Sequence, residues 1–419
     1  MTRTQIFQVS EFRFFMRRSL LILFICISTS SFSQVAYRVY EEGQKLFDAG
    51  QYADAIAKFD ATIKADPNYF EAYCDRARAN MMLKKNETVQ ADLDKCVSLN
   101  VKYYQGFYYR AQFEQQNGKN ADAIKDYTSA IALDPSLTDA FLQRGILNGN
   151  TAAAKSDFDA VIKLEPKNAN GYYYRAQYFI STNDQTSALS DLNNCITNDP
   201  FNKQAYYQRG VIEAAQKKND AAIADYSKSI ELGKNDTDVY LGRATAYAAA
   251  SKNAEAIKDY STVLEVLHSL NPDNYRKRGE LYLASANYPY ALKDLTKALQ
   301  LRKDDVTILN ERGMTYYKMG KAKFPSAEID LKKVLELDAK NSTAARTLAQ
   351  MYFDQAKWQD AADAITIAIK NGGTGDDYDL RGKCYYQLNN KKSACEDLTK
   401  AETMGCKTAA SDKLNAGCR

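Results

Sequence analysis

Between Tyr104 and Leu137, apolar and small residues fall three and four positions apart in two runs. Phe107 and Ala111 open the first run, and Glu114 stands where another aromatic would complete the stripe. Ala123, Tyr127, Ala130 and Ile131 make the second. Residues at this spacing share one face of a helix. Asn117-Gly118 divides the runs with a left-handed cap, and Asp134-Pro135 stops the second. The stretch therefore predicts two antiparallel helices. Ala111, Ala123 and Ala130 let them approach closely, while the aromatics fill the space between. One such hairpin cannot bury its apolar face alone and needs neighbours stacked against it.

The neighbours are in the sequence. A unit of about 34 residues recurs in about eleven copies from Ala36 to near the C-terminus. The first copy carries Gly43, Leu46, Gly50, Tyr52, Ala55, Phe59 and Pro67. Three copies are irregular. The fourth is short around Asn148-Gly149-Asn150, so its first helix should be clipped. The seventh predicts an extra helical turn through Leu264, Leu267 and Leu270. The ninth has additional residues around Ala322–Phe324, after which Pro325 suits a first helical turn. Large residues, Gly or Ala, Tyr, Ala, an aromatic and Pro at these offsets resemble the tetratricopeptide repeat. The resemblance implies an all-α fold, a right-handed superhelical solenoid of antiparallel helix pairs. It would occupy residues 34–407, with residues 408–419 adding a capping helix whose outer face is wettable.

Comparison of the copies isolates a charged pair. The seventh residue of the unit is Arg in nine copies: Arg76, Arg110, Arg144, Arg175, Arg209, Arg243, Arg278, Arg312 and Arg381. In the same nine, an Asp precedes the aromatic or Leu of the second helix: Asp92, Asp126, Asp157, Asp191, Asp225, Asp259, Asp294, Asp330 and Asp397. Copy one exchanges the signs with Glu42 and Lys58, and copy ten drops both for Leu348 and Ala364. Positions that change together are expected to touch, within one repeat rather than between successive ones. A planar guanidinium holds a carboxylate through two bonds, which favours Arg here. Arg110–Asp126 and Arg209–Asp225 are thus structural ion pairs. The alternative, arginines clamping an anionic partner, requires a donor fork that the aspartates already occupy.

Composition narrows the function. Thirty tyrosines against seven prolines fit a helical repeat chain. Residues 1–33 carry Arg3, Arg13, Arg17 and Arg18 against Glu11, so without them the net charge falls from +4 to +1. That near-neutrality excludes a basic nucleic-acid-binding stripe. Arg17-Arg18, the apolar run Leu20–Ile27 and Ser31-Phe32-Ser33 predict a signal peptide cleaved before Gln34. Residues 1–15 precede this pattern, and Met16 is an alternative start. The apolar run is short for a bilayer span, so no stable membrane insertion is expected after cleavage. The expected location is the periplasm or cell envelope.

No nucleotide loop, nucleophile elbow or HExxH pair occurs, and the lone histidine, His268, cannot build a zinc site of histidines. We expect no enzyme activity, cofactor or metal. CxxC spacing is also absent. Cys96 and Cys195 take the slot of Ala130 and are expected to be small core residues; Cys74 has no evident partner. Cys395 and Cys418 lie almost symmetrically about Cys406, as facing residues on antiparallel helices would. Cys395–Cys418 is the expected disulfide, with Cys384–Cys395 as the alternative.

In tetratricopeptide proteins the first helices line a concave groove that holds peptides. By that resemblance the fifth and ninth residues of each unit face the groove. In the N-terminal half they include Tyr40, Tyr108, Gln112, Tyr173, Gln177 and Tyr207, an uncharged aromatic and amide stripe suited to adaptable recognition. In the C-terminal half they include Arg276, Glu280, Asn310, Met314, Arg346, Gln350, Asp379 and Lys383, which are mixed and charged. The bland alternative is that tyrosines of the stripe pack between adjacent first helices. The carboxylate clamp of the family's chaperone adaptors is not reproduced, since the matching positions are Tyr40, Gln44, Cys74 and Arg78. The chain is expected to be a non-catalytic scaffold that binds a protein or peptide partner. The alternative is binding of a glycan or other polymer by the same tyrosines.

Overall fold

Helical spacing, capping and small-residue contacts recur together in the protein, here a computed structural model that describes residues 34–418. No strand occurs among the described residues. The expected signal segment, residues 1–33, lies outside them. The described chain divides into two compact units that meet in sequence between Phe201 and Asn202.

The first unit holds five helix pairs. They are α1 (34–48) with α2 (Tyr52–Ala65), α3 (Phe70–Met82) with α4 (Val89–Leu99), and α5 (Tyr104–Gln116) with α6 (Asn120–Leu133). Then come α7 (Thr138–Asn148) with α8 (Ala152–Leu164), and α9 (Ala169–Ser181) with α10 (Gln185–Asn198). The second unit holds six pairs and a last short helix. Its pairs are α11 (Lys203–Ala215) with α12 (Asn219–Glu231), α13 (Thr237–Ala249) with α14 (Asn253–Ser261), and α15 (Pro272–Ala284) with α16 (Tyr288–Leu301). They continue with α17 (Val306–Lys318) and α18 (Phe324–Leu337), α19 (Ser342–Phe353) and α20 (Trp358–Lys370), and α21 (Gly375–Gln387) and α22 (Lys391–Thr403). Helix α23 (Ala409–Asn415) packs on α22 and α21.

Local chemistry explains the turns. First helices close on a residue in the left-handed region, among them Gly50, Gly118 and Gly320, but also Lys84, Lys217 and Ala356. The cap survives without glycine because its bonds are made: the Lys217 and Lys218 amides donate to the carbonyls of Ala214 and Glu213. Second helices that precede Pro end on an extended Asp, as at Asp66, Asp134 and Asp199. Each of these carboxylates accepts the amide two residues on. Close approach of the pair sets the small residue at the eighth position. A Cβ on Gly145 would lie 2.5 Å from the Phe158 ring.

The irregular copies differ in kind. Helix α7 ends at Asn148, with Gly149 turning left-handed. In copy nine, a 3-10 turn over Lys321–Lys323 absorbs the insertion and Pro325 lies in the first turn of α18. Copy seven corrects the expected extra helical turn. Helix α14 widens into a π turn over Thr262–Val266 and then leaves the helix, with His268 left-handed and Leu270 exposed. Widening keeps Val263 and Leu264 on the core side, which leaves the later leucine without a slot.

Cysteine placement also corrects an expectation. Cys74 does have a partner: it forms a disulfide with Cys96, Cα to Cα 5.6 Å, so Cys96 is not a simple core thiol. Cys74 on α3 and Cys96 on α4 occupy facing slots of one helix pair, and Gly106 of α5 lies over both sulfurs. Cys395 on α22 is bonded to Cys418, just beyond α23, with Cα atoms 5.5 Å apart. Cys195 and Cys384 are buried thiols that burial pushes up to about 12.

Candidate partner-binding face

The residues that hold the face in place come first. In all nine Arg copies, Nε and Nη2 donate to the two oxygens of the Asp on the paired second helix, at 2.5–3.0 Å. Arg110 thus forks onto Asp126, and Arg209 onto Asp225 at 2.7 Å on both arms. In copy one, Lys58 donates to Glu42 at 2.6 Å; in copy ten, Leu348 and Ala364 are buried instead. The Asp225 hydrogen bond raises the Arg209 pKa, outweighing burial, so that guanidinium stays charged.

The expectation of bonding within one repeat only is incomplete. The remaining nitrogen of several arginines reaches back to the preceding second helix. Arg76 donates to Asp60, Arg110 to Asp94 and Arg175 to Asp159. Hydroxyls take that place at Thr128 for Arg144, Ser227 for Arg243 and Thr366 for Arg381. Five donors in a planar group allow one arginine to fasten three helices. The signal was in the sequence as an acid or hydroxyl sixteen residues before Arg76, Arg110, Arg144, Arg175 and Arg243.

First helices lie beside one another within each unit, α3 by α5 and α7 by α9 in the first, α17 by α19 and α19 by α21 in the second. The candidate groove residues divide on this face. Tyr40 is a correction. It is only 7% exposed, packs on Phe59 and Tyr69, and donates its hydroxyl to Asp75. Burial, then Asp75, raises its pKa above the ordinary phenol value. It is a core residue because Asp75, one repeat on, gives its hydroxyl an acceptor inside.

Tyr108 and Gln112 stay on the face but are not free. Gln112 donates to the Tyr108 hydroxyl, which donates to Asp139 on α7. Gln143 donates to the other Asp139 oxygen, and Gln115 to Gln143. This ladder crosses from α5 to α7 beside a cleft of about 320 Å³ that also reaches Tyr104, Leu137 and Glu165. Tyr173 is half-buried against the Tyr174 ring. The Gln177 amide nitrogen is buried with no hydrogen-bond partner among the described residues. Tyr207 has Lys234 Nζ 4.4 Å from its ring centre.

The second unit ties its face with charges. Arg276 bonds Glu311, whose carboxyl burial pushes up to about 7 against the pull of Arg276. Arg346 forks onto Asp377 at 2.8 Å on both arms. Burial works to raise Asp377, but Arg346 and Thr374 hold it below the usual carboxylate range. Met314, Arg346, Gln350, Asp379 and Lys383, from the expected groove positions, converge on a cleft of about 540 Å³. A larger cleft of about 730 Å³ opens beside the π turn, between Glu265, Arg278, Lys297 and Tyr316.

Residues 40–88, 148–194 and 187–237 match the tetratricopeptide repeat family. Those segments carry tetratricopeptide repeats. Over 99 residues it is 32% identical to the DnaJ homolog subfamily C member 7 homolog of Schizosaccharomyces pombe, covering 23% of this chain and 21% of that one. Over 96 residues it is 31% identical to DnaJ homolog subfamily C member 3 of Mus musculus, covering 23% and 19%. The chain thus spans about a fifth of the length of these relatives. Among solved structures, a tetratricopeptide repeat protein from Parabacteroides merdae aligns with a TM-score of 0.43 at 22% identity, over 59% of this chain and 98% of that one.

Bonds along the first-helix face recur at about one repeat's separation, which sequence reasoning missed. Tyr40–Asp75 and Arg276–Glu311 are 35 residues apart; Tyr108–Asp139 and Arg346–Asp377 are 31 apart. A fifth-position donor therefore meets an acid of the next first helix, in its first turn at Asp139 and Asp377 and at its sixth residue at Asp75 and Glu311. The signal was an acid about one repeat later, and a search confined to one repeat passes over it.

Proposed function

We propose that this chain is an exported, non-catalytic scaffold that binds segments of partner proteins along its first-helix face. Tetratricopeptide-repeat proteins in general mediate protein–protein interaction, which is the coarse part of the reading. The observation that carries the finer part is the face itself. It presents half-buried tyrosines and amides around one cleft and charged side chains around another. Tyrosine anchors lose little entropy on binding, and polar groups already held in ladders are preorganised for it. Two disulfides support export, since such bonds persist in oxidising compartments.

The test is a pull-down from envelope extract with the full chain and a Tyr108→Ala/Tyr173→Ala/Tyr207→Ala variant of unchanged helicity. The expected result is a set of proteins retained by the parent and lost by the variant. An unchanged protein set with lost polysaccharide would turn the reading to glycan binding, and a variant equal to the parent in both overturns it. Sequencing the mature N-terminus should start at Gln34; residues upstream of it would remove the export step.

A further inference from the structure

We propose that the 540 Å³ cleft formed by α17, α19 and α21 is a socket for a cationic side chain, Lys or Arg, on a partner segment. The inference rests on the reading that the first-helix face takes partner segments, and it names what one part of that face selects.

The argument is an account of which polar atoms are already used. Arg346 is committed to Asp377 through both arms of its fork. Lys383 pairs with Asp379 Oδ2 at 2.7 Å and with Asp412 at 2.8 Å. Gln350 and the Tyr317 hydroxyl both donate to Asp354. Asp379 lines the cleft, is only 5% exposed, and receives Thr408 as well as Lys383 on Oδ2. Its other oxygen, Oδ1, is buried with no hydrogen-bond partner among the described residues. A buried carboxylate oxygen is among the atoms most costly to leave unpaired. What Asp379 lacks is therefore a donor.

Charge gives the donor its sign. Asp376, Asp377 and Asp379 line the cleft with Lys318, Arg346 and Lys383, and two more carboxylates stand behind the lining, Asp354 on Tyr317 and Gln350 and Asp412 on Lys383. Carboxylates exceed cations by two, and Asp376 is exposed at the rim. An anionic ligand would meet Arg346 and Lys383 already paired, with Lys318, which lies over the Tyr317 ring, as the one lining cation that has no carboxylate among the described residues. A metal ion is a poor fit, because no group of three or more metal-ligating side chains is gathered among the described residues. Lys or Arg fits on both counts. Its head would donate to Asp379 Oδ1 and its methylenes would lie along Met314, Ile365 and Leu380, which also line the cleft.

The test uses the full chain and three fluorescein-labelled pentapeptides, identical except for a central arginine, lysine or citrulline. Citrulline keeps the shape of arginine and removes its charge. By fluorescence anisotropy, the arginine or lysine peptide should bind saturably and the citrulline peptide at least about ten-fold more weakly. Asp379→Asn should weaken the cationic peptide by a similar factor, and Asp376→Asn by about three-fold with unchanged melting. Asp379 also holds Thr408, so Asp379→Asn could loosen the end of the chain. A measurement on the unmutated chain covers that case: the labelled methyl of Met314 should shift in NMR spectra on titration with the arginine peptide, and that of Met82 should not. Equal binding of the citrulline peptide, or no Met314 shift, overturns the socket. If envelope partners are lost with the tyrosine variant but fully retained by Asp379→Asn, the socket alone is rejected. If neither variant loses a partner, the scaffold reading falls with it.

Discussion

At the residue scale, Glu114 shows how a departure from the repeat pattern becomes a physical property. It takes an aromatic's slot on α5, is 7% exposed, and its Oε2 has no hydrogen-bond partner among the described residues. Burial first, then the charge of Asp126, pushes its carboxyl from 4.5 up to about 7. The folded side chain thus holds its proton more tightly than the unfolded one. Its contribution favours folding fully below the unfolded value and is lost as pH rises through about 7. Glu114→Gln removes that titration. The variant should match the parent at pH 4 and exceed it by about 1–2 kcal/mol at pH 8, in urea unfolding followed at both pH values. Equal gains at both pH values would show that Glu114 does not titrate in this way. Glu213 occupies the same slot in copy six and is raised by burial and Asp225. The polarity of both slots was legible in the sequence, but the degree of burial, which raises both carboxyls, was not.

At the scale of elements, the arginine joins a first helix to its own second helix and often to the preceding one. How much this stabilises depends on burial. Arg278 and Asp294 have side chains only 7% and 3% exposed, whereas Lys58 and Glu42 are 41% and 46% exposed. Removing one partner of the buried pair strands a charge, so Arg278→Ala should cost about 3–5 kcal/mol. Lys58→Ala should cost less than about 1 kcal/mol. Copy ten supplies the control, since Leu348 and Ala364 fill the same positions without charge. Arg278→Leu with Asp294→Ala should therefore be less destabilised than Arg278→Ala alone, by thermal or urea unfolding. A double variant worse than either single change would mean that the pair is worth more than apolar packing. The positions of this bridge follow from comparing copies, because a charge exchange at two sites reports their contact. Its reach into the preceding repeat does not, because Asp60, Thr128 and Ser227 differ in type and only the folded geometry makes them equivalent acceptors.

At the scale of the molecule, each unit is stacked from pairs that touch mainly their neighbours, so local constraints should have local effects. Cys74–Cys96 closes α3 on α4, and Cys395–Cys418 fastens the segment after α23 to α22. Loops of this size stabilise by about 3 kcal/mol each in the chain-entropy treatment. Non-reducing peptide mapping should recover both bridges. Reductant should speed hydrogen exchange in α3–α4 and α22–α23 and leave α13–α16 unchanged. Free thiols at all four positions, or a uniform loss of protection, would reject this account. Cys395–Cys418 could be anticipated from symmetry about a turn, whereas Cys74–Cys96 could not, because Cys96 also reads as an ordinary small core residue.

Periodicity, caps and small-residue spacing are local, so the sequence by itself determined the helix pairs, their repetition and the Arg–Asp partners within each pair. These depend on residues within one or two turns, or on the same contact repeated many times. Tertiary structure alone decided that Tyr40 is core while Tyr108 is surface, though both occupy the fifth position of the unit. It also decided that α14 opens into a π turn, and that Asp379 presents an oxygen without a donor. Each of these depends on which atoms of the next repeat come within 3 Å or so, a distance that hydrogen-bond geometry sets and that sequence spacing does not encode.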